Sequence, residues 1–230
     1  MKAPIALALD APDLDTACDW ALKVSPFVST LKIGLETYLR DGKSAISKIK
    51  ANTDCEIFLD LKLHDIPATV RGACKSIKDL NPKYLTVHAS GGTEMIKVAS
   101  QEVPETLIVA VTILTSIDQK NLSQIGFKDD PITAAVNLAK LSVAAGARAI
   151  VCSPQEVSEI RKSVGSEIIL ITPGIRPSGI EANDQQRTAT PEDAIKAGAD
   201  LLVIGRPITG AKDIVLAAKT ISEQVNKILS

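Results

Sequence analysis

The sequence predicts an α/β protein organised as a single (β/α)8 TIM barrel over residues 1–230, and three observations point there. Short β-rich runs alternate with helical patterns at a regular spacing, with no low-complexity linker between them. Aliphatic residues are abundant while aromatic residues make up only 3% of the chain, as suits parallel strands covered by helices on both faces. Polar and charged residues gather at the C-terminal end of strand after strand, where a barrel of this kind carries its site. A doubly wound open sheet shares the first two features, so the third is what favours closure.

In chain order, the runs read as strands are residues 5–10, 29–34, 56–62, 84–89, 107–114, 147–153, 167–172 and 200–205. Helix starts are legible between them. Ser153-Pro154-Gln155-Glu156 offers a cap, a first-turn proline and a glutamate at the capping-box position, and Thr190-Pro191-Glu192-Asp193 is a close variant. Gly146 and Gly198 stop helices just before the sixth and eighth strands, in the similar joints Ala-Gly-Ala-Arg and Ala-Gly-Ala-Asp.

Composition removes several classes of function. The net charge of −1 and the lack of a basic patch argue against a nucleic-acid partner. The apolar run at 3–9 after Lys2 is ended by Asp10 before it reaches signal-peptide length, and no later run is long enough to span a bilayer. A cytoplasmic protein with no membrane partner is expected. Cys18, Cys55, Cys74 and Cys152 lack a Cys-x-x-Cys spacing, and the histidines are His64 and His88, so neither zinc nor a disulfide framework is indicated.

The chemistry concentrates in the third strand and just beyond it. Alternation puts Phe58, Asp60 and Lys62 on one face, an expensive arrangement in a buried strand unless the charges are paired or used. Asp65 lies past the strand end, where it could cap the helix that Ile66 and Pro67 begin, fold back, or reach a neighbouring chain. Asp10 could open a turn and Lys32 could extend to water, but strands one to three would set them beside Asp60 and Lys62. His88 reads as a satisfied core histidine. Gly205-Arg206-Pro207 after the eighth strand and Arg176 after the seventh suit a phosphate. The 174–187 segment is long for such a loop; Gln185 and Arg187 near its far end suit closure over that phosphate, and a solvated surface loop is the equal alternative.

With these residues assembled, the sequence resembles the orotidine 5'-phosphate decarboxylase family nearly end to end. The resemblance rests on Leu-Asp at 9–10, Lys-x-Gly at 32–34 and Asp-Leu-Lys-Leu-His-Asp-Ile-Pro-x-Thr at 60–69. It continues through Leu-Thr-Ser at 114–116, Pro-Gly-Ile-Arg at 173–176, Asp-Gln-x-Arg at 184–187 and Gly-Arg-Pro at 205–207. It implies a barrel homodimer that needs no metal or other cofactor and converts orotidine 5'-phosphate to UMP and CO2, the last step of UMP biosynthesis. By resemblance the catalytic group is Lys62 as proton donor with Asp60, Lys32 and an Asp65 lent by the partner subunit. Substrate contacts implied in the same way are Asp10, Lys32, Asp60, Ile66, Thr69, Thr115, Arg176, Gln185, Gly205 and Arg206. Two other readings stay open: a Mg2+-dependent sugar-phosphate decarboxylase or synthase on the same barrel, which by resemblance carries an acidic residue in place of Lys32, and a barrel that binds nucleotide phosphates without catalysis.

Overall fold

The structure is a computed structural model that describes residues 1–177 and 187–229. Eight strands form a closed, all-parallel barrel: β1 (Ala3–Ala8), β2 (Val28–Gly34), β3 (Glu56–Leu63), β4 (Tyr84–His88), β5 (Leu107–Val111), β6 (Ala149–Val151), β7 (Ile169–Thr172) and β8 (Leu201–Ile204), with β8 paired back onto β1. The helices among the described residues are α1 (Leu14–Val24), α2 (Leu35–Ala51), α3 (Pro67–Ile77), α4 (Gly92–Glu102), α5 (Gln119–Gln124), α6 (Pro131–Ala144), α7 (Val157–Val164), α8 (Pro191–Lys196), α9 (Arg206–Thr209) and α10 (Ile214–Leu229). Short α5 and α9 are additions to the alternating pattern, one after β5 and one after β8.

Every expected strand is present, and the ends differ for local reasons. The ladder between β1 and β2 runs to Ala8 and Lys32, so Asp10 lies two residues beyond its strand. Strand β6 starts at Ala149 rather than 147 because the Ala147 N–H still belongs to the preceding helix end, donating to the Ser142 carbonyl at 2.9 Å. Gly146 and Gly198 both sit at φ +106°, the left-handed turn that only glycine adopts without strain. Thr190 caps α8 by accepting from the Asp193 N–H, as its sequence predicts. The other expected start is displaced: Glu156 reaches back to the Ser153 N–H at 3.0 Å, but the helix begins only at Val157.

Side chains segregate by alternation along each strand. One set (Ala6, Phe58, Tyr84, Val109, Ala149, Ile171 and Leu201) packs together inside the barrel, with the Phe58 and Tyr84 rings edge to face at 5.6 Å. The opposite set, including Leu7, Leu31, Ile33, Leu59, Leu85 and Leu202, packs outward against the helices. Both layers are closed to water, which leaves the loop end of the barrel as the place where polar side chains can meet a ligand.

Two ladders are irregular: β1 against β2 between Ala3 and Ala6, far from the charged strand ends, and β3 against β4 beside them. Between β3 and β4 the partners pass from Leu59 and Leu85 to Leu63 and Val87, so four steps along β3 match two along β4. The surplus residues are those around Asp60 and Lys62, and Lys62 takes φ +48°, a left-handed conformation that a lysine rarely adopts.

Leu85, fully buried between Leu59 and Ile108 on the adjacent strands, tests the outer core. Leu85→Ala is expected to lower unfolding free energy by about 2–5 kcal/mol in chemical denaturation, the range for truncating a packed leucine.

Candidate active site

A cleft of about 510 Å³ opens at the C-terminal end of the barrel, within the range of small-molecule sites. Its floor is apolar, from Ala8, Phe58, Val111, Val151 and Val203, and continues the interior layer below it. Charge enters from three adjacent strands. The Lys62 ammonium donates to both Asp60 carboxylate oxygens at 2.8 Å, the Lys32 ammonium lies 3.3 Å from Asp60 Oδ2, and Asp10 Oδ1 is 4.0 Å from Lys32 Nζ. Asp10, Lys32, Asp60 and Lys62 therefore form one chain of alternating sign.

Asp60 and Lys32 are the buried members, each with 9% of its surface exposed. For Asp60 the balance of burial and charge is explicit. Burial pushes its carboxyl upward, yet the Lys32 and Lys62 ammonium groups together outweigh that, and its net shift is below the ordinary carboxylate value. It stays ionised at neutral pH. Gly34, paired with Asp60 across the ladder, keeps the array compact: a Cβ there would lie 3.1 Å from Asp10 Oδ1 and from Lys32 Nζ.

The remaining sequence-predicted residues divide by position. Thr115, beyond β5, lines the cleft, as do Arg176 after β7 and Gly205 and Arg206 after β8. Arg176 is buried and donates to the Ile175 carbonyl at 2.9 Å, while Arg206 is exposed at the rim and opens α9. Asp65, Ile66 and Thr69 do not line the cleft but form an exposed edge beside it. Asp65 does not cap the next helix: Ile66 occupies the cap position, and among the described residues the Asp65 carboxylate accepts from the adjacent Ile66 N–H at 2.6 Å. Gln185 lies outside the described residues, with most of the expected loop.

Two expectations change. Arg187 is engaged away from the cleft, paired with the fully buried Glu156 and donating to the Leu114 and Ile117 carbonyls at 2.8 and 3.3 Å. Its guanidinium thus fastens the loop that carries Thr115, so it is not the phosphate contact suggested by its place near the loop end. His88 is half-buried rather than core, with its ring 5.3 Å from that of His64. Burial, the His64 ring and the Lys62 ammonium all lower its pKa, so the imidazole is neutral at neutral pH.

Sequence reasoning missed Thr86. This fully buried residue of β4 accepts the Lys62 backbone N–H at 2.7 Å and lies 3.1 Å from Asp60 Oδ1. Alternation in Tyr-Leu-Thr-Val-His could have placed it on the inward face with Tyr84.

Among the described residues no helix is long and apolar enough to cross a membrane, and no cluster of three or more His, Cys, Asp or Glu could hold a metal ion.

A family model described as Orotidine 5'-phosphate decarboxylase / HUMPS family matches residues 3–221. The chain is 54% identical to "Orotidine 5'-phosphate decarboxylase" of Thermobifida fusca (strain YX), over 99% of this chain and 97% of the relative. It is 49% identical to the protein of the same name from Frankia casuarinae, over 96% and 87% of the two chains. The crystal structure of orotidine 5'-phosphate decarboxylase from Lactobacillus acidophilus superposes with a TM-score of 0.85 at 32% identity, covering 98% of this chain and all of that one. By sequence across nearly its whole length and by the shape of its barrel, this chain belongs to the orotidine 5'-phosphate decarboxylase / HUMPS family.

Proposed function

We propose that this chain is a carboxy-lyase that decarboxylates orotidine 5'-phosphate to UMP and CO2 in pyrimidine biosynthesis, acting as one catalytic barrel over residues 1–230 in the cytoplasm. The observation that carries the reading is the Asp10, Lys32, Asp60, Lys62 chain at the mouth of a cleft whose other strand ends supply Arg176 and Arg206. The near full-length relatives bearing the decarboxylase name support it over the sugar-phosphate branch of the same family. So does the pairing at Asp60: a carboxylate already held by two ammonium groups is a poor metal ligand, and Lys32 replaces the acidic residue that the Mg2+-dependent enzymes are expected to carry.

In the reaction the bond from C6 of the pyrimidine to the carboxylate breaks, its electron pair stays on C6, and the Lys62 ammonium supplies the proton that forms C6–H. Lys62 is left as an amine and regains a proton from solvent. The intermediate electron pair is poorly delocalised, so the barrier in water is high, and enzymes can remove on the order of 8–23 kcal/mol of such a barrier. One ammonium about 4 Å from the developing charge contributes roughly 4 kcal/mol at an effective dielectric near 20. Lys62 helps without sufficing. Asp60, facing the substrate carboxylate, adds electrostatic stress relieved as CO2 leaves, and phosphate contacts from Gly205, Arg206, Arg176 and Gln185 hold the reacting end in that unfavourable place. Asp10 and Lys32 take the ribose, and Thr115 lies by the pyrimidine.

Asp65, Ile66 and Thr69 act on the cleft of a second copy. Their exposure beside the mouth supports this, as do the exposed apolar side chains of Ile66, at 65%, and of Leu35 and Leu39 on α2, the helix after the neighbouring strand β2, at 46% and 79%. A homodimer in which each Asp65 completes the partner's array puts these groups to use.

Purified protein is expected to form UMP from orotidine 5'-phosphate with EDTA present; an absolute Mg2+ requirement would favour the sugar-phosphate reading instead. Lys62→Ala should lose turnover by at least the 10²–10⁴-fold typical of a positioned acid, roughly, while still binding UMP in calorimetry. Near-native turnover would remove Lys62 from its role. Mixing inactive Lys62→Ala and Asp65→Ala proteins should restore activity to about a quarter of wild type after full exchange, because half the dimers then hold one intact site. No recovery despite demonstrated exchange would count against a shared site.

A further inference from the structure

Within the decarboxylase reading, we infer that Thr86 is a positioning residue that holds the proton donor and its carboxylate partner in register. The inference starts from the irregular ladder between β3 and β4. Where β3 carries four steps against two on β4, the backbone around Lys62 cannot follow the normal ladder to β4, and Lys62 sits at φ +48°. Its N–H is satisfied by the side chain of Thr86, which accepts at 2.7 Å. A left-handed lysine persists only where its surroundings over-determine it.

The direction of the second bond follows from proton count. A hydroxyl has one hydrogen, and here it also accepts from Lys62 N–H, so the Thr86 hydrogen is free to point at Asp60 Oδ1, 3.1 Å away. One hydroxyl thus links the main chain of the proton donor to the carboxylate that grips that donor's ammonium. The triangle is closed: Thr86 to Lys62 backbone, Lys62 Nζ to Asp60, Asp60 back to Thr86. Thr86 is fully buried and does not line the cleft, so it touches no substrate. A hydroxyl that served only to satisfy a bulged N–H would have no need to meet Asp60.

The effect belongs to the chemical step rather than to nucleotide binding, because the arginines and Gly205 that would hold the phosphate sit after β7 and β8. Thr86→Val keeps the size and β-branching and removes both bonds; Thr86→Ser keeps the hydroxyl. Turnover of orotidine 5'-phosphate and affinity for UMP should be measured for wild type and both variants. Thr86→Val should lower kcat roughly tenfold or more, as loss of a hydrogen bond to a charged group does, with UMP affinity changed less than about threefold. Thr86→Ser should keep kcat within about threefold of wild type. Should Thr86→Val fail to fold, Thr86→Cys, with its weak thiol donor, reads the same loss. Wild-type kcat in the valine variant, equal damage in the serine variant, or a parallel loss of UMP binding would each overturn the inference. A wild-type protein inert toward orotidine 5'-phosphate would overturn the decarboxylase reading and this inference together.

Discussion

The Asp60 carboxylate, largely buried at the cleft and clasped by two ammonium groups, is the interaction on which the site depends. An isolated ionised carboxylate in an apolar barrel would protonate rather than stay charged. Lys62 at 2.8 Å and Lys32 at 3.3 Å reverse that outcome, and the carboxyl titrates below its ordinary value despite burial. The dependence is mutual, because each lysine is also fixed by Asp60. Removal of any one member leaves the others with uncompensated charge, so the array works as a unit and resists division into single-residue contributions.

Barrel closure makes such an array possible. In a closed parallel sheet the ends of β7, β8, β1, β2 and β3 lie side by side, an arc with the two arginines at one end and Lys62 at the other. A phosphate and a reacting carbon joined through a ribose need that kind of span. The apolar floor keeps water out from beneath, which strengthens each charge pair above it.

Much of this was legible in the sequence because period-2 alternation and strand adjacency are local rules that a barrel obeys. All eight strands are readable in the sequence, and strand adjacency alone makes Asp10, Lys32, Asp60 and Lys62 neighbours. What escaped was set by non-local geometry. The β3 bulge depends on how four residues face two on the next strand, so neither the left-handed Lys62 nor the role of Thr86 follows from the third strand alone. Arg187 differs from its expected place for a related reason: nearness along the chain to the loop after β7 says nothing of where the side chain goes, and its guanidinium follows the buried Glu156. Burial alone raises the Glu156 carboxyl, with Arg187 and the Ser153 N–H opposing it, so an arginine turned outward would leave that acid without its only charged partner among the described residues.

The strain at Lys62 shows how stability and chemistry divide here. A left-handed non-glycine residue costs of order 1–3 kcal/mol, and glycine would relieve it. Glycine, however, has no ammonium to pair with Asp60. The bulge turns the ammonium toward Asp60 and the cleft, where a regular strand would have continued the ladder, and the hydrogen bond from the Lys62 N–H to Thr86 offsets part of the cost. Strain confined to one residue within a fully packed barrel is tolerable because the layers above and below are unaffected: Phe58 and Tyr84 still meet edge to face, and Leu59 and Leu85 still pair. The fold can therefore hold a charged group in a conformation it would not choose, provided that its neighbours are rigid and its charge is already answered.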